Sequence, residues 1–379
     1  ESLMDASTGY DTVSFREPLG VFAGVCPFNF PAMIPMGWMT PCCIAAGNSI
    51  VLKVSSSTPR TAMAIAQIYK DAGLPDGVLN IVSCKRTEAE IFLTHPKVKG
   101  ITFVGTTKAG KHIYSVAAAH GKRVQALCEA KNHALVMYDA PIERTAAGII
   151  NAAYGCAGER CMALPVVVAH EKIADKLVEE LLKQAKLIKV GPAYDKTSKL
   201  GPVVNPQHKE RIEGYIAKGV EEGATLVLDG RNHVVEGFEK GFYLGPTIFD
   251  HVTEDLVIGK EEIFGPVLCV KRVKSFEEGL EIMNNNPFAN GSVIFTQSGY
   301  YAREFARNTD GGMVGVNVGI PVPVGFFSFT GHKDSFFGDL HCLGKDAFRF
   351  FTEQKTVTTK WFTQEESTQT EVSTWDGTI

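Results

Sequence analysis

Apolar and polar residues follow a pattern that changes between strand-like and helix-like about five times in the first third of the chain. An alternating stretch, Tyr10–Arg16, comes first. Short apolar runs such as Val21–Cys26 and Ser49–Lys53 then precede segments with helical spacing, such as Pro59–Ala72. Regular alternation of strands and helices predicts parallel strands joined by right-handed crossovers. We therefore predict an α/β protein whose first domain is a doubly wound parallel sheet, with ligands at the carboxyl ends of its strands.

A second series of strands and helices follows Lys131 and includes an amphipathic helix at Ile173–Ile188. This series predicts a second α/β domain. Near the end of the chain, Arg349–Lys360 alternates in the same way as Tyr10–Arg16. Two such strands would pair as a small β flap, which needs a partner subunit to cover its apolar face.

Composition excludes several classes of function. The 379 residues are 45% hydrophobic and 21% charged, with a net charge of −4 and no dense Lys/Arg block, so nothing indicates nucleic-acid binding. The longest apolar stretch, Met33–Ala46, is broken by two prolines and Gly37 and is too short for a membrane span. Nine scattered cysteines without a repeated CxxC predict reduced thiols and no metal site, as in a cytoplasm or a mitochondrial matrix.

One cysteine lies in a context that favours reactivity. A helix-like run, Pro141–Ala157, ends in Gly158-Glu-Arg-Cys161. A thiol at such a backbone break has its own N–H free to donate, and Arg160 beside it would favour the reactive thiolate. A buried, inert thiol is the alternative, and the residues alone leave both open.

Two strand ends carry further candidate chemistry. Glycines at 105 and 110, in the turn after one predicted strand, would let a phosphate approach backbone N–H groups at a helix start. The turn nearly matches a P-loop, but His112 stands where a Mg²⁺-binding hydroxyl is required, so an NTPase is a weak alternative beside a ligand-free turn. Asn29, held between aromatic residues and prolines, is the kind of donor that an oxyanion hole uses, unless it only satisfies its own turn.

Taken together, the motifs of this chain resemble those of the aldehyde dehydrogenase superfamily over roughly Arg16–Phe362. Five motifs occur in order and are together highly specific: PFNFP at 27–31, LK at 52–53, FVGTTKAG at 103–110, GERC at 158–161 and EEIFGP at 261–266. Within the superfamily, AKNH at 130–133 and VNVGIPVP at 316–323 are similar to the CoA-acylating members that oxidise methylmalonate semialdehyde. The resemblance implies a flap strand at 1–17, an NAD-binding domain at 18–130, a catalytic domain at 131–345, an oligomerisation strand at 346–362 and a flexible tail at 363–379.

The resemblance also implies residue roles. Cys161 would attack the aldehyde carbon, the Asn29 side chain and the Cys161 N–H would hold the oxyanion, and Arg160 would help bind a substrate carboxylate. Hydride would pass to NAD, leaving a thioester on Cys161. Glu262, which from the residues alone could equally be a solvated helix cap, would hold the nicotinamide ribose. The other residues implied at the cofactor are Cys26, Phe28, Lys53, Ser56, Ser57, Gly105, Thr106, Gly110, Cys128 and Phe264.

Departures from the family pattern bear on the acyl acceptor and on the cofactor. Hydrolytic relatives have a Glu general base where this chain has Leu127, which cannot take a proton, so thiolysis by CoA is favoured. Glu129, two residues on, stands where the family has a small residue and is an alternative base. The loop Lys53-Val-Ser-Ser56 lacks the family's Glu, which predicts weaker NAD binding and some use of NADP.

The expected activity is therefore NAD-dependent oxidation of malonate or methylmalonate semialdehyde, with acyl transfer to CoA and loss of CO₂, as in valine catabolism. A homodimer or homotetramer is expected. Two alternatives stay open: a hydrolytic NAD(P)-dependent enzyme, and a catalytically silent scaffold, because the chain begins well inside the family pattern. An extra residue at Gly37 also predicts a late start or a bulge in the helix after PFNFP.

Overall fold

The computed structural model describes residues 1–7 and 9–368. In chain order, its strands are β1 (Ser2–Ser7), β2 (Tyr10–Pro18), β3 (Val21–Val25), β4 (Ser49–Lys53), β5 (Leu79–Val82), β6 (Val98–Val104), β7 (Arg123–Leu127), β8 (His133–Val136), β9 (Val166–His170), β10 (Thr225–Leu228), β11 (Thr247–Asp250), β12 (Val267–Val273), β13 (Phe288–Ala289), β14 (Gly291–Phe295), β15 (Met313–Val316), β16 (His332–Lys333), β17 (Phe336–Gly338) and β18 (Thr352–Lys360). Its α-helices are α1 (Thr40–Ala45), α2 (Pro59–Asp71), α3 (Arg86–Ala89), α4 (Ile91–Thr94), α5 (Thr107–Ala119), α6 (Ile142–Tyr154), α7 (Glu171–Lys186), α8 (Pro206–Glu221), α9 (Val257–Lys260), α10 (Phe276–Asn284), α11 (Gly299–Asn308) and α12 (Gly344–Phe351).

The first large sheet has the order β17-β7-β6-β3-β4-β5. Its strands β7, β6, β3, β4 and β5 are parallel, as the alternating pattern predicts. The edge strand β17 is antiparallel to β7, with Phe336 opposite Leu127. A strand from the stretch expected to belong to the catalytic domain thus completes the sheet expected to bind the cofactor.

The second large sheet has the order β10-β11-β12-β9-β8-β14-β15 and is parallel except for β10. Residues of α6 and α7 pack on one face, and residues of α8, α10 and α11 pack on the other. Every residue of β8, β9, β11 and β14 is buried, as expected for parallel strands covered on both faces. The predicted second α/β domain is confirmed.

The flap is a three-stranded antiparallel sheet of order β1-β2-β18, in which Val13 lies opposite Val357. The predicted pairing of the two terminal strands is confirmed, but the predicted start of the second strand is wrong. Residues Arg349–Phe351 belong to α12. Phe350 and Phe351 are buried against Phe22, with the Phe351 and Phe22 rings 4.7 Å apart, so packing on the first sheet keeps this segment helical.

The segment after PFNFP begins as a π-helix, Met33–Met39, and continues as α1. Gly37 lies inside the π-helix, so the predicted bulge is confirmed; an inserted residue is a common origin of such turns. Of the predicted flexible tail, residues up to Thr368 include a short 3₁₀ turn, Glu366–Thr368, and the remainder lies outside the described residues. In the described part of the chain, no helix combines the length and apolar character that a bilayer crossing requires.

Candidate active site

A left-handed turn presents the candidate nucleophile. The helix predicted to run to Ala157 ends at Tyr154, and Cys156, Ala157 and Gly158 follow with φ of 53°, 56° and 73°. A Cβ on Gly158 would lie 2.1 Å from the Gly265 carbonyl oxygen, so only glycine fits this close approach. The turn thus reverses the chain after α6 and seats it against the loop that carries Glu262.

Two asparagines hold the backbone of Cys161. The Asn132 side-chain amide donates to the carbonyl oxygens of Cys161, at 2.9 Å, and of Ala163, at 2.7 Å. The Asn290 side-chain amide also donates to the Cys161 carbonyl oxygen, at 3.2 Å. The sequence analysis assigned no role to either asparagine, although Asn132 lies in the AKNH motif at 130–133; Asn290 had no signal beyond a position just before a predicted strand.

The Cys161 thiol is neutral at ordinary pH. Burial raises its pKa to about 12, with a further contribution from Glu262, while the Cys161 and Met162 amides counter part of the shift. Arg160 Nε instead donates to Cys156 Sγ at 3.3 Å, and its guanidinium group covers Gly155. The prediction that Arg160 favours the Cys161 thiolate is therefore wrong.

Cys161 opens into a cavity of about 590 Å³ at the carboxyl ends of the first sheet. The predicted site residues that line this cavity are Cys26, Phe28, Asn29, Lys53, Gly105, Thr106, Cys128, Cys161, Glu262 and Phe264. A second cavity, of about 220 Å³, shares Lys53 and Phe103 with the first and extends beside α5 to Arg86 and Glu90. The two cavities form one elongated cleft. A third cavity, of about 620 Å³, lies between α6 and the loop after β15 and contains none of the predicted residues.

Four predicted residues lie outside the lining of this cleft: Ser56, Ser57, Gly110 and Arg160. The loop turns at Ser55, whose carbonyl oxygen accepts the Thr58 N–H at 3.3 Å, so Ser55 faces the cavity while Ser56 and Ser57 are exposed. A Cβ on Gly110 would lie 2.2 Å from Cys128 Sγ. This glycine therefore serves the close packing of α5 on the first sheet rather than contact with a ligand.

The loop that carries Glu262 is held from both sides. Glu262 Oε1 accepts the Ala130 N–H at 3.0 Å, and burial raises the pKa of this carboxyl group to about 8. Phe264 has a φ of 60°, a costly conformation for a bulky residue. Two side chains of α8 hold it there: His208 Nε2 bonds the Phe264 carbonyl oxygen at 2.7 Å, and Arg211 donates to the Ile263 carbonyl oxygen at 3.1 Å.

His208 and Arg211 also line the cavity, and the sequence analysis missed both. The rings of Phe28, His208 and Phe264 meet edge to face with centroids 5.9 to 6.4 Å apart. One signal was available: Asn205-Pro206 is an N-cap followed by proline, which places these side chains near the start of a helix. No pattern in the sequence near these two residues predicted their contact with the Glu262 loop, because that loop lies about fifty residues further along the chain.

Asn29 is tied to the residue two before the nucleophile. Its side-chain amide donates to the Glu159 carbonyl oxygen at 3.0 Å, so it does not merely satisfy its own turn. The Glu159 side chain is buried, its Oε1 accepts the Val204 N–H at 3.1 Å, and His208 Nε2 is 3.4 Å away. Burial raises the pKa of Glu159 to about 7.

The structure does not favour the two other chemistries considered from the sequence, which are a general base at Glu129 and a P-loop NTPase. Glu129 Oε2 accepts the N–H of Thr107, the first residue of α5, at 2.8 Å, so this carboxylate is committed to a helix start. His112, which stands where a P-loop has its Mg²⁺-binding hydroxyl, instead lies beside Glu90, with Nε2 and Oε2 2.8 Å apart. Among the residues that the structure describes, no cluster of His, Cys, Asp and Glu could hold a metal ion.

The sequence and fold of this chain are similar to those of known proteins. The model of the aldehyde dehydrogenase family matches residues 1–357. A malonate-semialdehyde dehydrogenase of Oceanobacillus iheyensis is 49% identical, covering 96% of this chain and 74% of the relative. A second, from Geobacillus kaustophilus, is 50% identical, covering 95% and 74%. The chain belongs to the aldehyde dehydrogenase family.

Two solved structures are similar over nearly the whole chain. A methylmalonate-semialdehyde dehydrogenase of Oceanimonas doudoroffii has a TM-score of 0.94 and 44% identity, covering 96% of this chain and 75% of that one. A Sinorhizobium meliloti protein, assigned as a methylmalonate-semialdehyde dehydrogenase and solved in complex with NAD, has a TM-score of 0.94 and 43% identity, covering 96% and 74%. The predicted fold class and family resemblance are confirmed.

Proposed function

We propose that this chain is an NAD-dependent, CoA-acylating semialdehyde dehydrogenase that acts on malonate or methylmalonate semialdehyde. One observation carries the proposal: the Cys161 thiol, the Asn29 amide and the Glu262 carboxyl group line one cleft at the carboxyl ends of a parallel sheet. The names of the similar proteins from Oceanobacillus, Geobacillus and Oceanimonas support this choice of substrate.

In the proposed reaction, the residues of this chain transfer the acyl group through the Cys161 sulfur. Cys161 Sγ forms a bond to the aldehyde carbon, the thiol proton passes to water in the cleft, and the electron pair of the broken carbon–oxygen π bond makes the aldehyde oxygen an oxyanion. The Asn29 side chain stabilises that oxyanion together with the Cys161 N–H. Loss of hydride from the same carbon leaves a thioester on Cys161. We keep the assignment of Arg160 to the substrate carboxylate as a prediction.

The polar groups of the cleft fit a nicotinamide dinucleotide. The Glu262 carboxyl group can accept hydrogen bonds from a ribose diol, Lys53 lies where the two cavities meet, and Thr106 begins the turn into α5. When bound, NAD supplies the hydride acceptor. Ser56 stands where the family's loop has a glutamate, so the carboxylate that would repel a 2′-phosphate is missing from this loop, and some use of NADP is also proposed.

Thiolysis by CoA completes the reaction. Leu127 is buried and has no proton-accepting group, and Glu129 is bonded to the start of α5. Neither residue is therefore placed to activate water as the general base of the hydrolytic relatives. The CoA thiol would displace Cys161 from the thioester, giving acetyl-CoA or propionyl-CoA once the substrate carboxylate has left as CO₂.

We further propose a homodimer or homotetramer assembled through the flap, in a bacterial cytoplasm. The flap is largely exposed on both faces, and Val13, Phe15 and Val357 lie on the same face. An apolar face on an uncovered sheet is typical of a surface that a second subunit buries. The compared relatives are bacterial proteins.

The test is reduction of NAD⁺ by methylmalonate semialdehyde, with and without CoA, using these 379 residues. We expect sustained turnover only with CoA and a single stoichiometric burst without it. Cys161→Ser is the control and should abolish both. Sustained turnover without CoA would favour hydrolysis. Absence of even a burst from folded protein would favour the silent scaffold.

A further inference from the structure

We propose that the Glu129 carboxylate is an internal occupant of the anion position at the start of α5 and lowers the affinity of the cleft for a nucleotide pyrophosphate. The inference rests on the proposed function, because it assumes that a dinucleotide binds in this cleft. It assigns to Glu129 a role in cofactor affinity, as opposed to proton transfer.

The geometry of the contact is that of a bound anion. The 13-residue helix α5 starts at Thr107, directly after the turn through Gly105 and Thr106, and its positive end faces the cleft. Glu129 Oε2 accepts the Thr107 N–H at 2.8 Å. Phosphates bind to such N–H groups at helix starts, so a pyrophosphate and this carboxylate would compete for the same donor.

The backbone of Glu129 is anchored, so the side chain cannot leave with a simple shift of the chain. Its N–H donates to Thr107 Oγ1 at 3.3 Å, and its carbonyl oxygen accepts from Ser335 Oγ at 2.7 Å. Thr107 Oγ1 in turn donates to the Asp334 carbonyl oxygen at 3.2 Å. A ligand can displace the carboxylate only by a change of its side-chain rotamer.

In the part of the chain that the structure describes, no basic side chain forms an ion pair with this carboxylate. Lys111, one turn into α5, is paired with Asp334, with Nζ and Oδ2 2.8 Å apart. Lys53, Arg211 and Glu262 line the same cavity, and none of them bonds to the Glu129 carboxylate. A pyrophosphate at this position would therefore meet an anion instead of a free amide. The competing explanation is that Glu129 only caps the helix. Removal of its carboxylate would then lower the stability of the protein without raising its affinity for a nucleotide.

The experiment is calorimetric titration of the full chain with NAD⁺, with CoA and with adenosine. Glu129→Gln keeps a hydrogen-bond acceptor and removes the charge, while Glu129→Gly removes both. Exposed Glu179 on α7 provides the control variant, Glu179→Gln. Because NAD and CoA both contain a pyrophosphate, separate titrations show which one uses the position.

We expect Glu129→Gln to bind NAD⁺ about tenfold more tightly and Glu129→Gly at least as tightly as that, with unchanged affinity for adenosine, which lacks phosphate. A gain confined to CoA would also support the anion position and assign it to CoA. Unchanged or weaker binding of both nucleotides by both variants would overturn the inference and leave Glu129 as a helix cap, with the proposed function intact. If no folded variant, wild type included, bound NAD⁺ or CoA, the cofactor site itself would be wrong.

Discussion

Ionisation of single residues in the cleft and next to it depends on burial more than on nearby charge. Cys161 has its pKa raised to about 12 even though two amides favour its thiolate. Glu262 and Glu159 have pKa values raised to about 8 and about 7 for the same reason. All three groups are therefore largely or partly protonated at neutral pH, which keeps a cleft meant for an anionic ligand from becoming strongly acidic.

The coupling between Glu262 and Cys161 predicts a pH-dependent reactivity. Glu262 ionises near pH 8, and its negative charge then opposes formation of the Cys161 thiolate. We expect Glu262→Gln to raise the rate of Cys161 alkylation by iodoacetamide several-fold at pH 9.5 and to leave it unchanged at pH 6.5, where wild-type Glu262 is protonated. Peptide mass spectrometry measures the rate, with exposed Cys156 as the internal reference. An equal effect at both pH values would contradict this coupling.

Glu159 predicts a pH-dependent stability. Its folded-state pKa of about 7 exceeds the unfolded value of 4.5, so its contribution to stability is fully present below pH 4.5 and is lost as the pH rises through 7. Glu159→Gln, which cannot ionise, should be more stable than wild type at pH 8.5 by about 1–3 kcal/mol and equal to it near pH 4.5. Denaturant unfolding at the two pH values measures the difference.

Glu179→Gln is the control for Glu159→Gln, because exposed Glu179 should change stability little at either pH. If Glu159→Gln were less stable than wild type at pH 8.5, ionised Glu159 would be stabilised by its partners, the Val204 amide and His208.

The candidate residues of the site were predictable from the sequence, and the residues that support them were not. Cys161, Asn29 and Glu262 lie in short motifs of defined residue types, and all three line one cleft. Asn132 and Asn290 contact the Cys161 backbone from 29 and 129 residues away, and no local pattern encodes such pairs. Arg160 shows the converse error, because proximity in sequence to Cys161 did not place its guanidinium group beside the thiol.

At the scale of elements, the left-handed turn after α6 connects the part of the site around Cys161 with the loop that carries Glu262. Cys156 and Ala157 are not glycines, and each costs about 1–2 kcal/mol in this conformation. The turn persists because the chain must reach both the Glu262 loop and the asparagines that hold Cys161. Hydrophobic spacing continues through the turn, which is why the sequence predicted helix as far as Ala157.

A substitution at Gly158 tests the role of this turn. Gly158→Ala adds a Cβ 2.1 Å from the Gly265 carbonyl oxygen at a φ of 73°. We expect a loss of at least about 2 kcal/mol in stability and a larger proportional loss of the acylation burst, because the Glu262 loop must move. Thermal unfolding and the burst assay measure the two effects.

Gly148→Ala, within α6, is the matched control. Its Cβ would meet Phe295 at an ordinary 3.6 Å, and alanine favours the helix, so stability should stay equal or rise. Similar behaviour of the two alanine variants would show that the turn has room to relax.

The prediction of elements succeeded where a hydrophobic period of two or about 3.6 residues extended over a full strand or helix. It also located the π-helix, because Gly37 is one residue more than the motif requires. It failed at α12, where the phenylalanines at 350 and 351 directly precede the alternating residues of β18 and become helical by packing on Phe22. That choice depends on a strand more than three hundred residues away in the chain.

At the scale of the whole molecule, the flap is the surface most in need of a partner. Val13 and Val357 are opposite each other on its apolar face and are 38% and 43% exposed, while Thr12 and Thr358 point to the other face. We expect Val357→Lys to lower the molecular mass in solution from that of the oligomer to that of a smaller species, because a buried unpaired charge opposes association. Light scattering coupled to gel filtration measures the mass.

Thr358→Lys places the same charge on the opposite face of the same strand and should leave the mass unchanged. If both variants kept the mass of the wild-type oligomer, assembly would use another surface. If wild type had the mass of a single chain, the proposed oligomer would be wrong.

The edge strand β17 has a consequence for how this protein is made. It pairs with β7, which ends about two hundred residues earlier, and β18 pairs with β2 across nearly the full length of the chain. At roughly 5–20 residues per second, a ribosome releases β17 about 10–40 seconds after β7. During that time the growing chain presents two unpaired strand edges to solvent, so its demand for chaperone protection should be greatest while the second half is still being synthesised.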